Sequence, residues 1–163
     1  MKHWVLIRRK RLALLLAAAL LSVAGYLLYT SWNGYIGFPL DDAWIHQVYA
    51  RNLVERGEWS FNPGEPSGGS TSPLWSLLMA AGYFVKIHPV IWSGVLGWLT
   101  LFLIAVFADE LVRSLMPGYK PSIPWVGLFF AFEWHLTWAS VSGMETSLYV
   151  LVVLSTFLAL SRK

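Results

Sequence analysis

Residues 12–30 read LALLLAAALLSVAGYLLYT, a run of 19 positions without a single charge. Wound as an α-helix at ~1.5 Å per residue, this run matches the ~30 Å hydrocarbon thickness of a bilayer. Arg8-Arg9-Lys10-Arg11 lies directly before it and Lys2 further upstream, a basic cluster that holds the N-terminus in the cytoplasm. A cleaved signal peptide also starts basic and ends on small residues such as Ala17-Ala18-Ala19. Its apolar core is shorter, however, at ~7–15 residues, and further apolar runs follow here. Residues 12–30 therefore read as a first spanning helix.

The rest of the composition agrees. Of the 163 residues, 56% are hydrophobic and 13% charged, about half the ~25% charge of an ordinary soluble domain. The ten tryptophans and seven tyrosines suit the headgroup zone, where one ring edge is wet and the rest apolar. Net charge is +3, but the basic residues sit in short clusters beside apolar runs, which sets bilayer orientation and does not make a nucleic-acid stripe. With no cysteine, a disulfide framework, a thiolate metal site and a cysteine nucleophile are excluded.

Three further runs follow, at 90–112, 123–141 and 144–161, the first two separated by the breaker-rich Met116-Pro117-Gly118-Tyr119-Lys120-Pro121. Four crossings from a cytoplasmic N-terminus leave 9 of the 12 Lys and Arg inside, and only Arg51, Arg56 and Lys86 outside. An odd number would break that bias. The expected architecture is an all-α, multi-pass protein of the cell (inner) membrane, with an outer loop at 31–89 that carries one or two interfacial helices.

That loop is acidic: Asp41, Asp42, Glu55, Glu58 and Glu65 stand against Arg51 and Arg56 between residues 31 and 72. After Pro39-Leu40, the acidic start, Ile45, Val48, Tyr49 and Leu53 at helical spacing, and Gly57 as a left-handed C-cap predict a surface-lying amphipathic helix. Ser67-Gly68-Gly69-Ser70-Thr71-Ser72 then reads as a connector, with Ser72 placed to cap and Pro73 to open a second helix to about Ile87. At about 14 residues that helix is too short to span and belongs in the interface.

Asp41-Asp42 is the foremost chemical candidate. Adjacent carboxylates beyond a span can take a proton from an acceptor hydroxyl or hold a divalent cation; alternatively they serve the helix N-terminus. His46 and Tyr49 follow Asp42 by four and seven residues and can share its face. Arg51 can meet a phosphate or pair with Glu55. Ser70, Thr71 and Ser72 can offer hydroxyls and backbone N–H groups to a phosphate. Glu145, in Ser142-Gly143-Met144-Glu145, returns to the side of Asp41 and either caps the fourth helix or joins the site. Glu133 and His135 lie inside the third run, where ionisable groups are costly and usually face a cavity or a polar partner; two apart on one helix, they cannot stack on one face and need not act together.

Taken in order, Pro39-Leu40-Asp41-Asp42-Ala43-Trp44-Ile45, Tyr49-Ala50-Arg51-Asn52-Leu53, Phe61-Asn62-Pro63-Gly64-Glu65, Gly69-Ser70-Thr71-Ser72-Pro73-Leu74-Trp75 and Ser142-Gly143-Met144-Glu145-Thr146 resemble the GT-C membrane glycosyltransferases. This superfamily includes protein O-mannosyltransferases and arabinofuranosyltransferases, and the likeness is to its bacterial Asp-Asp branch. The resemblance implies inverting transfer of a sugar from a polyprenyl-phosphate donor to an acceptor at the outer membrane face. Asp41 or Asp42 would be the base, and Mg or Mn would be used as in some members. It covers the whole chain as an N-terminal portion. Members are longer, with more spans, so the chain is expected to be part of a larger core. A non-catalytic integral membrane protein, remnant or interaction subunit, is the alternative. A transporter ranks behind both, because 90–108 and the fourth run lack a Gly/Pro-interrupted pattern.

Overall fold

The computed structural model describes residues 2–162, with side chains from Ile7 onward. Among these residues there are seven helices and no named strand: α1 Lys2–Trp32, α2 Asp41–Arg56, α3 Pro73–Phe84, α4 Pro89–Leu115, α5 Trp125–Phe132, α6 Trp134–Val141 and α7 Thr146–Leu160. The apolar stretches of α1, from Ile7 to Trp32, and of α4 are each long and apolar enough to cross a membrane.

Side-chain contacts fix how the rods run. Leu15 packs with Ala105, and Val23 with Leu101, so α1 and α4 are antiparallel. The α5–α6 stretch lies along both: Leu15 and Ala105 meet Ala131, while Ser22 and Thr137 share a 2.6 Å hydroxyl hydrogen bond. Ser147 in α7 reaches Thr100 at 3.0 Å, and Ser161, the residue that ends the helix, reaches Ser114 at 2.7 Å, so α7 runs parallel to α4. Four rods thus alternate in direction. Small residues let them approach: a Cβ on Gly97 would overlap the backbone carbonyl of Ser140, so α4 and α6 touch main chain to main chain. Close packing of this kind is able to hold helices together without a hydrophobic drive between them. The outside of the rods is correspondingly apolar, with Leu21, Leu28, Ile91, Phe129 and Phe157 all exposed.

The bundle therefore has two chemically different ends. One gathers Arg8, Arg11, Asp109, Glu110, Arg113 and Arg162; Asp109, 1% exposed, is gripped by Arg11 and by Arg113. The other end carries α2, α3 and the α6–α7 turn.

The third run departs from expectation. It is not one helix, because Glu133 takes an extended ψ of 119° between α5 and α6. Its carboxylate accepts from Leu136 N at 2.8 Å, capping α6, and lies 2.6 Å from His135 Nδ1. The rule that residues two apart cannot meet holds on a continuous helix, and the break removes it, so Glu133 and His135 do pair. A carboxylate that can satisfy first-turn N–H groups offers the backbone an alternative to continuing the helix. Likewise α3 stops at Phe84 and not near Ile87, since Lys86 turns into the left-handed region at φ 59°. Gly57 does cap α2, at φ 70°, donating to Leu53 O.

The face of α2 also differs. Its buried residues are Ala43, His46, Gln47, Tyr49, Ala50 and Asn52, whereas Ile45, Val48 and Leu53 are only partly covered. The helix lies against protein, with α3 as its main neighbour, and buries a polar stripe there.

Candidate functional site

The site starts at the N-terminus of α2. Leu40 occupies the N-cap position without a side-chain hydrogen bond, and Asp41 and Asp42 fill the first turn, both exposed. Neither is a cap. Their carboxylates sit in the positive field of the helix terminus, free in direction to meet a ligand.

One turn later His46 is 1% exposed. Its Nδ1 lies 3.0 Å from Ser76 Oγ, and Ser76 Oγ lies 2.8 Å from Ser70 Oγ. On the other side, Nε2 is 3.2 Å from Glu145 Oε2, close enough to interact but without hydrogen-bond alignment. Ser76 can donate to Nδ1 in the tautomer that carries its proton on Nε2, which turns that proton toward the Glu145 carboxylate. Burial lowers the His46 pKa below its ordinary 6.5, opposed by the charges of Glu145 and Asp42. Burial thus favours the neutral imidazole over the charged one.

Glu145 reaches this histidine because of the turn before α7. Gly143 has φ +82°, and a Cβ there would meet Phe38 and Ala43 at 2.5 and 2.8 Å. Only glycine satisfies both the angle and the space. The Gly143 carbonyl accepts from Trp75 Nε1 at 2.8 Å. Segments 38–46, 70–76 and 142–145, far apart in sequence, thus lock together through Ala43 on Gly143, Trp75 on Gly143 and His46 between Ser76 and Glu145.

The loop after α2 is tied down by its own side chains. Tyr49, fully buried, places its hydroxyl 2.6 Å from Ser67 Oγ and accepts from Gly69 N at 2.9 Å. Asn52 Nδ2 donates to the carbonyls of Ser60 and Phe61 at 3.0 and 3.1 Å. The 67–72 segment is therefore not a loose connector, and the Gly69 N–H already has a partner. Beside it opens a cavity of about 430 Å³ lined by Ile45, Tyr49, Phe61, Asn62, Glu65 and Gly69 among others. A smaller hollow of about 180 Å³ holds Ser72, Glu145, Leu148 and Tyr149, continuing onto the exposed apolar face at Leu74 and Val152.

Of the residues expected from sequence, Asp41, Asp42, His46, Ser70, Ser72 and Glu145 come to this end, with Tyr49 one turn further along α2. Thr71 and Arg51 are exposed, and among the described residues Arg51 forms no ion pair with Glu55. Ser76, Trp75 and Asn52 were missed. Among the described residues no group of three or more His, Asp or Glu forms a metal-ligating cluster. The two exposed carboxylates of Asp41 and Asp42 suit a hydrated cation, which needs one or two carboxylates and completes its shell with water and phosphate.

No protein-family model, curated protein or solved structure matches this chain.

Proposed function

We propose that the chain is the N-terminal core of a GT-C-type membrane glycosyltransferase, acting on a polyprenyl-phosphate sugar at the outer membrane face. What supports this is the meeting, at one end of the bundle and opposite the basic end, of three of the five segments that carry the resemblance, those around Asp41-Asp42, 70–75 and 142–145. In this scheme α5–α6 and α7 are the third and fourth crossings, and Asp41 and Asp42 lie outside.

Asp41 or Asp42 takes the proton of the acceptor hydroxyl. The acceptor oxygen bonds to the sugar C1 from the face opposite the phosphate, and the C1–O bond breaks with its electron pair leaving on the polyprenyl phosphate. The phosphate is already a good leaving group, so acceptor deprotonation and charge compensation are the main needs. Mg or Mn held by Asp41 and Asp42 would supply that compensation. His46, buried between Ser76 and Glu145, fixes the first two turns of α2 and so the aim of the acidic pair. The hollow from Glu145 to Leu74 and Val152 gives a lipid-linked substrate access from the bilayer side.

Transfer from a polyprenyl-phosphate donor, with Asp41→Asn and Asp42→Asn compared with wild type, tests this. Loss of a general base costs about 10²–10⁴-fold. Unchanged transfer in both variants removes the pair from the mechanism, and absence of donor-dependent transfer by wild type leaves a non-catalytic membrane protein. The break at Glu133 is the one observation that favours a transporter, but His135 is 74% exposed on the outside of the rods, where it lines no path between them.

A further inference from the structure

The basic end of the bundle is more than a set of charges that fixes orientation. Arg8 and Arg11 on α1, Glu110 on α4 and Arg162 just after α7 surround one hollow of about 200 Å³, with Ile7 at its edge. A second hollow of similar size adjoins it, lined by Ile7, Lys10, Arg11, Leu14, Ser122 and Pro124. The two share Arg11 and Ile7.

We propose that these paired hollows bind the phosphodiester headgroup of an anionic phospholipid from the cytoplasmic leaflet. The charge count favours an anion: Arg8, Lys10, Arg11, Arg113 and Arg162 stand against Asp109 and Glu110. Guanidinium groups match phosphate oxygens as two-pronged donors. Arg11 is pre-positioned, since Asp109 holds one end of its fork while its Nε is buried with no partner. Arg162 is only loosely engaged, 3.6 Å from Glu110, and can turn to a phosphate. The apolar neighbours decide between a lipid and free phosphate. Ile7 and Leu14 are 38% and 42% exposed, one helical face leading from the headgroup hollow along the outside of α1, where an acyl chain would lie. Residues more than 150 positions apart build this site, so it exists only in the folded bundle.

The inference rests on α1 and α4 crossing a bilayer, and the test separates the two claims. The full chain is reconstituted in nanodiscs of phosphatidylcholine with and without phosphatidylglycerol, and lipid retention is read by native mass spectrometry. Preferential retention of phosphatidylglycerol is expected. Arg8→Gln and Arg162→Gln, both on exposed side chains, should each weaken it roughly fivefold, whereas Lys120→Gln, equally basic but outside the hollows, should not. Equal loss in Lys120→Gln, or equal retention of both lipids, overturns the site while leaving the membrane crossing intact. Failure to enter phosphatidylcholine nanodiscs overturns the crossing itself. Inorganic phosphate in detergent is the remaining arm: thermal stabilisation by phosphate that phosphatidylglycerol does not exceed assigns the hollows to a soluble anion and refutes the lipid.

Discussion

His46 shows how a single side chain joins three segments. Its spacing from Asp42 and Tyr49 is visible in the sequence as a shared helical face, and Glu145 returns to the same side by counting crossings. Ser76 carries no such signal: a hydroxyl in the apolar run PLWSLLMAAGYF looks like any other until a buried imidazole is set opposite it. Replacing His46 with Ala strips a partner from the buried Ser76 and leaves a gap, which should cost about 1–3 kcal/mol, read by thermal unfolding in detergent. The protonation of His46 supplies a second test. The unfolded chain protonates this residue near its ordinary 6.5, and burial makes the folded form resist. Below that pH the unfolded state binds more protons, so stability is complete above 6.5 and declines as pH falls toward the lowered folded value. His46→Gln should flatten this slope; identical slopes in the two proteins would assign the decline to other groups.

At the scale of elements, the positions of α1, α4 and α7 follow from charge-free length and flanking breakers, so they were legible. The break between α5 and α6 was not. Glu133 is flanked by apolar and aromatic residues with neither Gly nor Pro nearby, and only its capping of Leu136 N makes the interruption intelligible. Glu133→Ala removes that acceptor and should destabilise α6 by about 1 kcal/mol, whereas an unchanged melting profile would mean the break does not depend on the carboxylate. The α4–α6 contact makes a sharper demand. Gly97→Val should separate the two helices and cost more than the ~1–3 kcal/mol of ordinary overpacking, because backbone and not a side-chain tip stands in the way. Loss of the folded species on size exclusion is the corresponding measurement.

For the whole molecule, the segregation of charge to one end was apparent from the distribution of Lys and Arg, but the grip on Asp109 was not, because it joins residues 98 positions apart. Asp109→Ala leaves Arg11 and Arg113 largely buried without their counter-charge, and breaking such a group costs about 3–5 kcal/mol, measurable as a fall in denaturation midpoint. The absence of native cysteine allows the orientation to be checked on a clean background. In intact cells an impermeant thiol reagent should label Thr71→Cys, while Lys120→Cys should react only after permeabilisation; the reverse pattern would place the acidic pair in the cytoplasm.

The joining of α2 and α3 to the α6–α7 turn carries a consequence for biosynthesis. Ser76 leaves the ribosome roughly seventy residues ahead of Glu145, an interval of about 3–14 s at ~5–20 residues per second. In the proposed topology the hairpin of α2 and α3 spends that time on the far side of the membrane without the surface that covers it. His46 is then wet and free to titrate, and the arrival of Gly143 seals it, so an insertion arrested before that turn would leave a nascent protein open to proteases on its outer face.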